Sequence, residues 1–252
     1  MRALLIGPGQ LGRTIGGGLL ASGVSVDVAL RDSHIATWTQ YDFVLMAVGE
    51  KDFESAVRSV PTEVRSKLVL LQNDLVPSSW RALDVTLPTV LVVWFEKKKG
   101  KPAQVVRTSE LAGPHAALFA RAFEAIDMPA RVISEAECVR ALVVKNLYIL
   151  ASNAMGLRLG GGTTGSLVDA HREETTRLLH ELCTLERTRL SDEENALLEE
   201  EALVEETFAA FASDPKHGLL GRTARERVEK ALARAREAGV DLAMLQEIAS
   251  LV

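Results

Sequence analysis

Cysteine is scarce in this chain: 252 residues contain two, Cys138 and Cys183. Two thiols make neither a disulfide framework nor a CxxC metal site, so a reduced, cytoplasmic protein is the expectation. Long apolar runs are also lacking. The first one, Ala3-Leu4-Leu5-Ile6, is too short for a secretory leader and runs into Gly7-Pro8-Gly9. No stretch of about 20 uncharged apolar residues follows that would span a bilayer. The five histidines fall in no HExxH or paired metal spacing, and no GxSxG nucleophile elbow occurs, so no metal is expected. His171, His180 and Cys183 share one expected helix and read as packing or surface residues. Trp38, Trp80 and Trp94 read as core or cleft residues rather than a stacking platform.

A basic face is missing as well. Residues 1–134 carry 15 Lys/Arg against 13 Asp/Glu, or +2, and residues 135–252 carry 14 against 21, or −7, which together give the net −5. An acidic second half argues against a nucleic-acid partner. The one basic run, Lys97-Lys98-Lys99-Gly100-Lys101, reads as a solvated hairpin tip.

What is present is an ordinary globular composition, 47% hydrophobic and 25% charged, in a length that suits one or two domains. Short apolar runs at Ala3–Ile6, Val24–Leu30, Phe43–Val48, Leu68–Leu71 and Val90–Phe95 are bounded by Gly, Pro, Asn or Asp and predict buried parallel strands. Helices are expected at Gln10–Ser22 and Asp52–Ser59. A hairpin is expected after Phe95 with its return at Gln104–Thr108, then a helix at Pro114–Ala125 and a short strand at Arg131–Ile133. Alternation of this kind predicts an α/β fold with a parallel sheet and right-handed crossovers. From Glu135 onward the pattern turns helical: Ala136–Leu157, Ser166–Arg189, Asn195–Phe211 and Arg222–Ala238. The composition shift sets the expected domains at 1–134 and 135–252. The acid-rich stretch Asp192–Glu206 reads as the solvated face of a helix.

The turn after the first strand is Gly7-Pro8-Gly9-Gln10-Leu11-Gly12, a GxGxxG between a strand and a helix. In that context Gly7 makes the tight turn, Gly9 lets backbone approach a pyrophosphate, and Gly12 lets helix and strand pack closely. The helix N-terminus offers N–H groups and a positive dipole end to the phosphates. The second strand ends in Arg31-Asp32. Arg31 is placed to clamp the 2′-phosphate of NADP(H), whereas Asp32 is the competing feature that would face an NAD ribose. NADP is the favoured cofactor.

The helical half opens on Arg140-Ala-Leu-Val-Val-Lys145-Asn146-Leu-Tyr-Ile-Leu-Ala-Ser152-Asn153. A lysine inside an apolar helix is costly unless paired, and burial lowers the pKa of an unpaired ammonium. Such a group can donate a proton to a carbonyl oxygen as hydride reaches the carbon. Ser152, seven residues on, lies along the same helix face, and Asn153 is nearly a quarter-turn off. A lysine that snorkels outward or pairs with a carboxylate is the plainer alternative.

These residues together resemble the ketopantoate reductase (2-dehydropantoate 2-reductase) family of the 6-phosphogluconate dehydrogenase-like oxidoreductases. The resemblance rests on the Gly7–Gly12 turn with Arg31, on Leu70-Leu-Gln-Asn73-Asp74 as the family's strand-end Q-N-G, on the Trp94–Thr108 hairpin leading to Leu111-Ala-Gly113-Pro114, and on Lys145 with Asn153 at the K…N spacing. The tail Glu226–Val240 resembles the family's last long helix. The resemblance implies a Rossmann domain followed by an all-helical substrate and dimerisation domain, with an active site in the cleft between them. It implies an NADP-dependent oxidoreductase acting on CH-OH, reducing ketopantoate to pantoate in pantothenate biosynthesis. Lys145 would be the general acid and Asn73 would face substrate and nicotinamide. Asn153 and Ser213 would hold the substrate, and Gly7, Pro8, Gly9, Gln10, Leu11, Gly12, Arg31 and Asn73 would hold the cofactor. A homodimer through the helical half is compatible with this reading.

Three departures stand out. Gly49 occupies the place of a family lysine, with Lys51 as the nearest stand-in. Ala224 occupies the place of a glutamate, with Glu226 further along. The segment between the second and third strands is short. The alternatives are a non-catalytic NADP(H)-binding redox sensor and a reductase of another ketone or imine.

Overall fold

A computed structural model describes residues 1–31 and 33–251. The chain divides into two compact units, Met1–Ala141 and Leu142–Val252. The division falls inside the helix that begins where the composition shifts.

In the first unit the order is β1 (Arg2–Ile6), α1 (Gln10–Ala21), β2 (Ser25–Ala29), β3 (Phe43–Met46), α2 (Phe53–Arg58), β4 (Leu68–Leu70), α3 (Pro77–Arg81), β5 (Thr89–Val92), β6 (Phe95–Lys97), β7 (Ala103–Val105), β8 (Ser109–Ala112), α4 (Ala116–Glu124) and β9 (Ala130–Val132). The seven-stranded sheet runs β2-β1-β3-β4-β5-β8-β9. β1 to β5 are parallel, and β8 is antiparallel to β5. Phe43, Val44, Leu45 and Met46 are all fully buried, as a strand covered on both faces requires. Chain order reverses between β1 and β3, which makes a topological switch point beyond their carboxyl ends.

Helices α1 and α4 approach closely because Gly18 has no side chain: an added Cβ would overlap the Ala122 carbonyl. Beneath them Phe43 meets Phe119 at 5.3 Å and Phe95 meets Phe123 at 5.7 Å, both edge to face.

The apolar run Val90–Phe95 is not one strand. It leaves the sheet at Trp94, whose N–H donates to Ser109 Oγ (2.9 Å) and whose carbonyl accepts from Val106 N (2.8 Å). The Arg107 guanidinium lies 5.0 Å over the Trp94 ring. Beyond the break, β6 and β7 form a separate antiparallel hairpin that returns through Ala103–Val105 rather than Gln104–Thr108. β8 was not expected. Its Glu110 is a buried acid paired with Arg131 at 2.5 Å, a residue that breaks the apolar pattern of a strand.

The second helix group begins with α5 (Glu135–Leu159), followed by α6 (Thr164–Asp169), α7 (Arg172–Arg187), α8 (Asp192–Asn195), α9 (Glu200–Ser213), α10 (Ala224–Ala238) and α11 (Ala243–Ser250). The expected helix Ser166–Arg189 is two helices. The chain turns at Ala170–His171, where both N–H groups donate back to the Ser166 carbonyl. The expected helix Asn195–Phe211, and with it the single solvated face at Asp192–Glu206, also divides. Ser191 and Glu194 form a capping box that starts α8 early, and a turn separates α8 from α9. α11 was not expected. Its start is held by Glu181 of α7, which accepts from Met244 N (2.8 Å) and Leu245 N (3.2 Å).

A buried polar tie joins α5 to α7. Glu186, 3% exposed, accepts from Asn146 Nδ2 (3.0 Å), and both of its oxygens lie 2.8 Å from Arg189 Nη1. Arg158 near the end of α5 pairs with Glu174 and, at 2.9 Å, with Glu247 of α11. Among the described residues no helix is long and apolar enough to cross a membrane.

Candidate functional site

One group of candidate residues lies in the first unit, at the carboxyl ends of β1 to β4. The turn from β1 to α1 separates its three glycines by role. Gly7 has φ +85°, and an added Cβ would lie 2.7 Å from the Ala47 carbonyl oxygen, so only glycine makes the turn. At Gly12 a Cβ would lie 2.5 Å from the Gly7 carbonyl oxygen and 3.0 Å from Ala47 Cβ. Gly9 differs: a Cβ there would meet no atom within 4 Å. Two glycines are closed in by protein backbone and the third faces open space, where a phosphate could approach the main chain. Gln10 and Leu11 open α1 behind it, with the Gly9 carbonyl taking Arg13 N (3.0 Å). The first N–H groups of a helix have no partner within it and point outward along its axis. Arg13 Nε donates to the Pro8 carbonyl at 2.8 Å and braces the loop. These residues fit a dinucleotide pyrophosphate.

Arg31 follows β2 in a turn closed by Ser33, whose hydroxyl takes Leu30 N (2.8 Å). Its guanidinium is exposed and lies 3.3 Å from Asp52 Oδ2. Asp32 lies outside the described residues. Asn73 stands half-buried in the turn after β4, beside Asp74 at φ +63°. Asp74 thus takes the left-handed conformation that the glycine of a Q-N-G would take, and aspartate tolerates it better than most residues. The turn is anchored by a residue to which sequence reading gave no role. Gln72 is buried, donates to the Met46 and Val48 carbonyls at the end of β3, and accepts from Leu71 N (3.2 Å). Its place just before Asn73 at a strand end was the available signal.

The remaining residues lie on α5 and beyond. Lys145 is 7% exposed, and Ser152 and Asn153 are buried with it. Asn153 is held on both sides: Nδ2 donates to the Ile149 carbonyl (2.5 Å) and Oδ1 accepts from Gly221 N (3.2 Å). Gly221 ends a loop that docks by backbone hydrogen bonds on the start of α6, through His217 O to Thr164 N (2.9 Å) and Gly162 O to Leu219 N (3.1 Å). Gly221 was not foreseen, because its link to Asn153 spans 68 residues. Ser213 closes α9, is exposed, and turns its hydroxyl back to the Ala210 carbonyl (2.7 Å). The Asn153 amide is turned to Ile149 and Gly221 instead. Ala224 is buried at the start of α10, and Glu226 is exposed. Gly49 is exposed with open space around a Cβ, and Lys51 is exposed in the short 3-10 turn that follows. Among the described residues no cluster of three or more His, Cys, Asp or Glu is arranged to hold a metal ion.

No family model matches the sequence, and no curated protein does. Solved structures match over the full length. The 2-dehydropantoate 2-reductase of Methylococcus capsulatus superposes with a TM-score of 0.73 at 16% identity, over 100% of this chain and 95% of that one. The chain has the ketopantoate reductase fold. A dimeric ketopantoate reductase from Staphylococcus aureus matches with a TM-score of 0.66 at 18% identity, over 99% and 96% of the two chains. A D-mandelate dehydrogenase in complex with NADH and anilino(oxo)acetate matches at 0.70 and 10%, over 100% and 97%. Within this shared fold a glycine-rich turn, a strand-end amide and a buried lysine stand at Gly7–Gly12, Asn73 and Lys145.

Proposed function

We propose that this chain is an NADPH-dependent reductase of a small 2-oxo acid, ketopantoate or a near relative. The observation that carries the reading is Lys145, a cation only 7% exposed on an apolar helix, two turns before an amide fixed on both sides. An ammonium held inside the protein can give a proton to a bound carbonyl oxygen and take one back. The reduced nicotinamide, when bound, supplies the hydride. Lys145 Nζ then gives a proton to the carbonyl oxygen as the carbon is reduced, and recovers it from solvent, so that a 2-hydroxy acid leaves. The Gly7–Gly12 backbone and the α1 N-terminus hold the pyrophosphate, Arg31 takes the 2′-phosphate, Asn73 orients the reacting end, and Asn153 and Ser213 position the substrate. The Staphylococcus aureus neighbour is described as dimeric, and a homodimer is proposed here too. Sedimentation velocity tests that part of the reading.

The second reading is a protein on the same fold that binds NADP(H) without turnover. Exposed Gly49 and buried Ala224 favour it, because neither can offer a substrate the charge expected at its place. Absorbance at the nicotinamide band, with purified protein, NADPH and ketopantoate, decides between them. Turnover that Lys145→Ala abolishes supports the reductase and a place in pantothenate synthesis. NADPH binding with no oxidation on ketopantoate or other 2-oxo acids supports the second reading.

A further inference from the structure

Asp52 ends the 3-10 turn Glu50–Asp52 after β3 and stands at the N-cap of α2, with its N–H held by the Gly49 carbonyl (3.0 Å). Its backbone is already helical (φ −94°, ψ −6°), a conformation from which the carboxylate does not turn back onto the helix N–H groups. It makes no capping bond. The carboxylate reaches across the carboxyl edge of the sheet to Arg31, 21 residues earlier, at 3.3 Å. Both side chains are well exposed, 83% for Arg31 and 54% for Asp52. An exposed pair of this kind contributes little to stability, so stability does not account for the pairing. The residue that follows the second strand of a dinucleotide fold is where 2′-hydroxyl and 2′-phosphate are told apart. Arg31 stands there, and its partner is an anion.

We propose that Asp52 sets the selectivity of this site between the phosphorylated and unphosphorylated dinucleotides. A 2′-phosphate must take Arg31 from Asp52 and sit close to that carboxylate, whereas an unphosphorylated ribose meets an ion pair with no net charge. Asp52 therefore weakens discrimination in favour of the phosphate, and the chain accepts both dinucleotides. The inference rests on the dinucleotide reading of the Gly7–Gly12 turn.

Its test is equilibrium binding of NADP+ and NAD+ by calorimetry to the full-length protein, without substrate. Asp52→Asn is expected to tighten NADP+ about threefold to fivefold, with NAD+ moving less than twofold and the gap narrowing as salt rises. Glu54→Gln is the control. It removes the same charge two residues away, where the carboxylate is held by Arg58 at 2.8 Å, and it should leave the ratio in place. Arg31→Ala should weaken NADP+ and leave NAD+ nearly unchanged. If both dinucleotides bind and Asp52→Asn leaves their ratio unmoved, or moves it no more than Glu54→Gln does, the inference is overturned alone. If neither dinucleotide binds the wild-type chain, the cofactor reading falls and the inference with it.

Discussion

The Met1–Ala141 unit presents its candidate residues mainly through backbone, and the Leu142–Val252 unit presents its own through buried side chains. In the first, Gly7 and Gly12 are fixed by carbonyls and Cβ atoms of Ala47 and the turn itself, and Gln72 ties two strand ends through their carbonyls. Its charged residues there, Arg31 and Asp52, are out in solvent. In the second, Lys145, Asn146, Ser152 and Asn153 are all buried on one helix, and Glu186 is buried opposite them. A backbone-built site tolerates changes of exposed side chains and fails when an atom is added. A side-chain-built site fails when an atom is removed, because a buried partner is left unpaired.

The largest test of that contrast is Lys145→Ala. It should lower kcat by about 10²–10⁴-fold, the range for a lost general acid. NADPH affinity should stay within about twofold, because no cofactor contact is assigned to this residue. A comparable loss of NADPH binding would remove Lys145 from proton transfer. Next is Glu186→Ala, which removes a buried carboxylate that Asn146 and Arg189 both contact. Urea unfolding should show a loss of about 3–5 kcal/mol, with Glu186→Gln losing less because an oxygen remains for Asn146. A loss under 1 kcal/mol would mean that water replaces the carboxylate and that the helical unit is less dependent on this tie than its burial suggests.

What could be read from sequence follows the same division. A strand, a GxGxxG and a helix are consecutive residues, so the β1–α1 turn was legible along with the parallel strands around it. Lys145 stood out as a lysine in an apolar run, and it is buried; Asn73 came only from the Q-N-G resemblance. Gln72 was quoted in the Q-N-G resemblance but given no role, because a glutamine at a strand end looks like ordinary loop polarity. The link from Asn153 to Gly221 and the tie from Asn146 to Glu186 span 68 and 40 residues, and no local pattern encodes them. The helix breaks were a different failure. Apolar periodicity continues through Ala170–His171 and through the turn before α9. The stop signals were caps, notably Ser191-x-x-Glu194, and a cap is read from one side chain rather than from a period. The acidic Glu110 hid β8 by the opposite route, a buried charge paired with Arg131 in what is otherwise an apolar strand.

Smaller effects sharpen the comparison. Gly18→Ala places a Cβ against the Ala122 carbonyl and should cost about 1–3 kcal/mol even after the roughly 1 kcal/mol gain in helix propensity. Gly17→Ala, one residue earlier in open space, should stabilise by about 0.5–1 kcal/mol. Thermal unfolding of the two single variants checks both signs, and equal shifts would remove close α1–α4 packing as the reason for Gly18.

Acid should act through exposed carboxylates of the first unit. Asp27 is held below its ordinary value of 3.8 by hydrogen bonds from Arg2 and the Tyr41 hydroxyl, and Glu137 below 4.5 by the backbone and side chain of Ser134 at the start of α5. A carboxylate depressed in the folded state stabilises above its unfolded pKa, and that contribution is lost as pH falls through the folded one. Stability should therefore decline below about pH 4.5, and Glu137→Gln should flatten part of the decline. An unchanged pH profile in that variant would show that the Ser134 cap holds only the neutral helix start.

The smallest signal comes from the two thiols. Cys138 lies in the first turns of α5 and Cys183 within α7, and burial pushes each up to about 12, so neither supplies thiolate at neutral pH. Native protein should resist a thiol-reactive disulfide reagent at both positions. Because one thiol stands in each unit, their labelling order under rising urea reports which opens first. Cys138 is one turn from the start of α5, whereas Cys183 sits on a helix tied to α5 through Glu186 and to α11 through Glu181. Cys138 should label first. Simultaneous labelling would mean that the two units unfold as one, and that the side-chain ties of the second unit do not set its stability apart from the first.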